Sequence, residues 1–208
     1  AAHGHADALS FVLHVDGLPV MVDSGTFTYH THKDWRKYFV GTLAHNTIRI
    51  NGKNQATQAG PTMWLNHFKC NTLLMESDSV TASHNGYEKL GVKHIREISF
   101  NREKEEFIIK DSLKGNVGFN AEIPFHLHPN AKIQEVYKGV FEVIVPGTRK
   151  VVVSTDPSLD CRIAEGEENA LLGWYSEHFG EKVPCKVIYA SKECWGTSSF
   201  ETKVQVLS

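Results

Sequence analysis

Short β-rich runs broken at Asp16-Gly17, Asn51-Gly52 and Pro146-Gly147 constrain this chain more than any other feature. Asp-Gly and Asn-Gly tolerate the positive φ that a two-residue primed turn demands, so each pair between apolar flanks predicts a hairpin. "LSFVLHVDGLPVMVD" reads as two strands joined at Asp16-Gly17. "NTIRINGKNQ" repeats the device, with Ile48 and Ile50 alternating against Thr47 and Arg49. "HIREISFNREKEEFIIKDSL" predicts two strands around a charged turn, and "GVFEVIVPGTRKVVVST" two more around Pro146-Gly147. "CKVIYAS" and "FETKVQVLS" close the chain with period-two alternation. Helical candidates are confined to one turn in "DWRKYF" and a short helix in "ENALLGWYSEHFG" ending at Gly180. This spacing predicts an all-β fold, a large antiparallel two-sheet β-sandwich with little helix, as a single domain over residues 1–208.

A chain of 208 residues is long enough to bury a real core. Its net charge of −2 argues against a nucleic-acid partner bound by broad phosphate neutralisation, although a local basic cleft remains compatible with it. No apolar run reaches membrane-spanning length, so no membrane partner is expected. The four cysteines show no CxxC spacing. Cys185 and Cys194 could face each other across a hairpin around Ser191, but the weaker alternative is the disulfide. Histidine is the outlier, with 12 residues and clusters at His3/His5, His30/His32 and His126/His128.

His5, Asp23 and His45 form a mixed nitrogen and oxygen set that suits Zn²⁺, each beside strand-like sequence. With a two-residue loop at Asp16-Gly17, Asp23 falls opposite Ser10, so the chain before Leu9 must bend back for the three to converge. The alternative is three unrelated hydrogen-bonded or surface residues. His3, His5 and Asp7 would share a face in a strand, so that a carboxylate orients an imidazole. Equally, Asp7 caps a turn and His3 belongs to a frayed terminus. "YHTHKDWRKYF" gathers Tyr29, Lys33, Trp35, Arg36 and Tyr38, the aromatic faces and guanidinium fork that carbohydrate and carboxylate recognition require. Against this stands the plainer reading, with Trp35 and Phe39 in the core and Arg36 and Lys37 solvated. In "FHLHP" two structural histidines are the better reading. "HNGYEKLGVKHIRE" and "GWYSEHFGEK" are assigned no chemistry.

"GHGHADALSFVLHVDG", "VDSGTFTYH", "WRKYFVGTLAHNTIRINGKNQ", "HIREISF", "PFHLHP" and "GWYSEHFGEKVPC" together resemble the C-terminal β-domain of the heparinase II/III-like polysaccharide lyases. The resemblance implies a cleft with one wall from this domain and the other from an N-terminal α/α toroid, so that the chain is the C-terminal part of a larger protein. It implies β-elimination on a uronic-acid-containing, hence acidic, polysaccharide, and a periplasmic or secreted protein. His3 resembles the histidine projected into the cleft and is the catalytic candidate. His5, Asp23 and His45 resemble a structural zinc trio, and Tyr29, Arg36 and Tyr38 fall in the substrate-facing stretch. The rivals are a non-catalytic carbohydrate-binding or structural β-domain, and a cupin-like metalloenzyme complete within this chain.

Overall fold

Alternation sorts the long strands into an inner and an outer face. In Ser198–Val206, the buried positions are Phe200, Thr202, Val204 and Val206, with exposed or half-buried residues between them. The computed structural model describes residues 3–207 and contains two principal sheets, both antiparallel. The larger has eight strands in the order Lys132–Tyr137, Val140–Ile144, Val151–Ser154, Ser198–Val206, Glu106–Gly115, Val92–Asn101, Ser79–His84, Cys70–Met75. The smaller has four, in the order Asp160–Glu165, Lys186–Trp195, Gly118–His126, Arg49–Ile50. Ile123, Phe125 and Ile188 from the smaller sheet meet Leu113, Phe141, Val153 and Val204 from the larger in one continuous core. Each such side chain contributes about 1.5–3 kcal/mol by leaving water. The two-sheet sandwich expected from the turn pattern is what forms.

The turns form where the sequence places them. Val15 pairs with Leu18 across Asp16-Gly17, whose φ angles are 53° and 81°. A one-residue shift between Leu13 and His14 then brings Leu13 opposite Met21, so the register that would set Asp23 against Ser10 does not hold. Asn51-Gly52 also turns with positive φ at both residues, 51° and 64°, yet its return arm is only a bridge from Ile50 to Lys53. Arg49–Ile50 instead completes the smaller sheet against Ala121 and Glu122.

Two further expectations are corrected. "ENALLGWYSEHFG" is not helical: Leu171 and Gly173 have φ of 46° and 81°, and Trp174–Tyr175 pairs with Val183–Pro184. Packing decides this, since Leu172 and Trp174 turn into two apolar clusters that a regular helix would not reach together. The single turn of "DWRKYF" is an eight-residue helix, Lys33–Val40. Cys185 and Cys194 cannot pair, because Lys186–Trp195 is one continuous strand without a hairpin at Ser191. Nine residues at about 3.3 Å each separate the two thiols by roughly 30 Å. All four cysteines are free.

Candidate metal centre and flanking groove

The segment from His3 to Ser10 is not a strand, so the shared face expected for positions 3, 5 and 7 does not exist. It bends back because other segments capture its backbone. The Ala6 amide donates to the Val40 carbonyl at 2.8 Å. The Thr42 and Thr47 hydroxyls donate to the Ala6 and Ala8 carbonyls at 2.8 and 2.6 Å. Gln55 clamps Ala8 twice, accepting from its amide at 2.7 Å and donating to its carbonyl at 3.1 Å. Arg96 then joins the Leu9 and Asn46 carbonyls through one Nη1, at 2.8 and 2.6 Å. Leu9 accepts a φ of 62° within this frame. On the outer side, Trp64 Nε1 donates to the Gly4 carbonyl at 2.8 Å and the His3 amide to Thr62 at 3.1 Å.

This scaffold sets the His5 and His45 rings 5.1 Å apart, centroid to centroid. One ring nitrogen of each and a carboxylate oxygen of Asp7 lie within 4.8 Å of one another. Asp23 is hydrogen-bonded to His45, with Oδ2 2.6 Å from His45 Nδ1 and Oδ1 accepting the Gly25 amide at 2.9 Å. Burial alone would raise the Asp23 carboxyl, but the hydrogen bond and charge of His45, the Gly25 amide and nearby His5 bring it down to about 2. Burial, then the neighbouring His45, lowers His5 to about 4, leaving a neutral imidazole at physiological pH. With Nδ1 given to Asp23, His45 retains Nε2, fully buried and without a hydrogen-bond partner.

That orphan nitrogen is the observation against which a metal can be tested. Two neutral imidazoles and a carboxylate are a Zn²⁺ donor set, and a carboxylate on the second nitrogen of a ligating histidine fixes its tautomer. The residues fit such an ion. Sequence reasoning named His5, Asp23 and His45. In the structure all three gather at one corner, and the carboxylate in mutual reach of both rings is Asp7, with Asp23 on His45.

The supports of this corner were not foreseen. Asn46 binds three segments, donating to the Phe11 and Val22 carbonyls at 2.8 and 3.0 Å and accepting the His126 amide at 2.7 Å. His126 is fully buried, in keeping with the structural reading of "FHLHP". Burial, then His45, lowers its pKa to about 3. Only the adjacency of Asn46 to His45 could have pointed to it, and nothing in the sequence marks Gln55.

Beside the centre, His3 is exposed and meets the Tyr29 ring edge-on, with centroids 5.3 Å apart. The Arg36 guanidinium lies 4.8 Å from the centroid of that Tyr29 ring, and Phe179 approaches it at 5.4 Å. Arg36 is buried rather than solvated, whereas Trp35 and Phe39 pack in the aromatic cluster as the plainer reading held. Tyr38 is a correction. It is 5% exposed, packed with Phe27, Phe39 and Ala44, and its hydroxyl is engaged by the Trp174 backbone inside the fold rather than directed at the Tyr29 and Arg36 pair. The Gly25 that orders Asp23 is also dictated by packing, since at its φ of 80° a Cβ would stand 2.1 Å from the Ser176 carbonyl oxygen.

A family model described as heparinase II/III-like, C-terminal, matches residues 1–206. Among solved structures, the chain is similar to a heparan sulfate lyase HepC mutant from Pedobacter heparinus, with a TM-score of 0.75 and 17% identity. That match covers 98% of this chain and 31% of the other. A crystal structure of heparinase III matches with a TM-score of 0.75 and 20% identity, over 97% of this chain and 30% of that one. A heparinase III gene product gives 0.76 and 16%, over 98% and 30%. At these identities the likeness is one of fold, and the chain spans less than a third of those proteins' length. A search of curated proteins by sequence finds no match. Among the described residues, no helix is long and apolar enough to cross a membrane.

Proposed function

Because this chain belongs to the heparinase II/III-like C-terminal family, we propose that it forms one wall of the cleft of a lyase that cleaves uronic-acid-containing polysaccharides by β-elimination. An N-terminal α/α toroid of the same protein supplies the other wall. In the reaction a base removes the proton from C5 of the uronate and the freed pair forms the C4–C5 double bond. The bond from C4 to the bridging oxygen breaks, and that oxygen takes a proton. The acidity of the C5–H is the barrier, and preorganised donors and cations around the uronate carboxylate lower it.

In this reading His3 is the catalytic group that the β-domain presents, while Tyr29 and Arg36 face the sugar. His5 and His45 hold Zn²⁺ together with a carboxylate, Asp23 by resemblance and Asp7 by proximity. The ion's part is structural: it ties the segment that carries His3 to the loops around His45. One observation carries this reading, the His5–His45 pair with its buried orphan nitrogen only two residues from an exposed imidazole that touches Tyr29. The polymeric substrate places the protein in the periplasm or outside the cell.

The test is to incubate the full-length protein with glycosaminoglycans, alginate and bacterial exopolysaccharides and follow the ultraviolet absorbance of unsaturated uronate. Product is expected from at least one, and His3→Ala should lower kcat by on the order of 10²–10⁴-fold with metal content unchanged. No product from any acidic polysaccharide would overturn the reading in favour of a binding domain.

A further inference from the structure

Arg36 is an unusual cation. It is 2% exposed, its Nε donates to the Pro61 carbonyl at 2.7 Å, and its Nη1 is buried without a hydrogen-bond partner. Among the described residues no carboxylate pairs with it. A guanidinium in this position normally meets an acceptor, because a buried unpaired charge is among the costliest groups a fold can hold. Beside it lies a pocket of about 280 Å³ whose lining includes Tyr29, His30, Lys33, Gln58 and Pro61. Among the described residues, no acidic side chain lines this pocket. Lys37, on the same wall, is engaged with Asp34 at 3.1 Å, whereas Lys33 forms no ion pair among the described residues. The Tyr29 ring contacts Arg36 at 4.8 Å and His3 at 5.3 Å, so the pocket adjoins the proposed catalytic group.

We propose that this pocket is an oxyanion subsite that receives a carboxylate or sulfate ester carried by a sugar of the polysaccharide. Arg36 supplies the planar donor fork and Lys33 a point charge at the rim. The proposal rests on the reading of the domain as a polysaccharide-facing wall, and adds where the negative group is held and by which residues.

Calorimetric titration of the purified full-length protein tests it, with oligosaccharides of equal length as probes: an unsulfated uronate-containing one, a sulfated one without uronate, and a neutral one. Inorganic sulfate serves as a fourth probe. Wild type should bind at least one charged oligosaccharide and not the neutral one, and which charged probe binds identifies the source of the oxyanion. Arg36→Gln should weaken that binding by 10- to 100-fold. Lys33→Glu, on the exposed face of the helix, should weaken it at least tenfold while keeping the wild-type melting profile. It decides the matter even if Arg36→Gln does not fold. Unchanged affinity in either folded variant would overturn the subsite and leave the domain's assignment standing. A wild-type protein that binds no acidic oligosaccharide would instead overturn the assignment itself, and the subsite with it.

Discussion

Two carboxylates stand near the His5–His45 pair, and their surroundings give them different work. Asp23 is locked by His45 Nδ1 and the Gly25 amide and is ionised well below the ordinary range. Asp7 is exposed, with an oxygen in reach of both imidazoles. If Asp23 orients His45 and Asp7 completes the donor set, Asp23→Asn should weaken Zn²⁺ binding by about 10–100-fold, the usual effect of losing an orienting partner. Asp7→Asn should weaken it more. Competition with a chromogenic chelator ranks the two, and the reverse order would make Asp23 the direct ligand. Gly25→Ala should be more damaging to the fold than either. Its Cβ would meet the Ser176 carbonyl at 2.1 Å, and a positive φ of 80° adds strain, so a loss of about 2–4 kcal/mol in urea unfolding is expected. A fully stable Gly25→Ala protein would show that the Ser176 loop yields freely.

Three neighbouring strands of the larger sheet carry a buried polar chain that stabilises the centre from behind. His84 stands directly opposite His94, and Arg96 opposite Asp111. Ionised Asp111 only accepts, so His94 Nε2 donates to it at 2.6 Å, His84 Nε2 donates to His94 Nδ1 at 3.1 Å, and the Gly86 amide donates to His84 Nδ1 at 3.1 Å. Every ring nitrogen is used once with both imidazoles neutral, and a further proton on His84 would face the Gly86 N–H. Burial, then His94 and Arg96, accordingly lowers His84 to about 3. A histidine whose folded pKa lies below its unfolded value binds its proton only after unfolding. Stability therefore falls as pH drops from about 6.5 toward 3, by roughly 1.4 kcal/mol per unit for each such group. Urea unfolding at pH 7.5 and pH 5 should differ by about 2 kcal/mol from His84 alone, before ordinary carboxylates titrate. His84→Gln should reduce the difference by about that 2 kcal/mol, leaving the share of the other buried histidines, and an unchanged slope would refute the origin. These strands also show why part of the structure was legible and part was not. The strands themselves follow from alternation and turn residues, which are local. The His84–His94–Asp111 chain depends on register between three strands, so "HNGYEKLGVKHIRE" looked chemically empty. The residue-168–180 stretch misled for a related reason, since a helix-like sequence yielded to apolar partners distant in the chain.

At the scale of the molecule, the core and the candidate metal corner are held by different forces. The core is apolar contact between two long sheets, with Phe125, Ile123 and Ile188 set against Phe141, Val153 and Val204. The corner is a weave of single hydrogen bonds from Thr42, Thr47, Gln55 and Arg96 to an irregular segment. Each is worth only about 0.5–1.5 kcal/mol net, so the segment opens more easily than the sheets. An ion shared by His5 and His45 would bear on that local opening and not on the sandwich. Chelation should then leave the far-ultraviolet strand signal intact at ambient temperature. Amide exchange should accelerate in residues 3–10 and 42–47, while the amides of Gly118–His126 and Ser198–Val206 stay protected. By mass action the free energy of that local opening should drop by about 4 kcal/mol if the ion was present at a thousandfold its dissociation constant. Loss of strand signal on chelation would mean that the sandwich itself needs the ion to fold. Unchanged exchange in residues 3–10 would mean that the hydrogen bonds alone hold His3 in place, and that His5 and His45 do not owe their proximity to a metal.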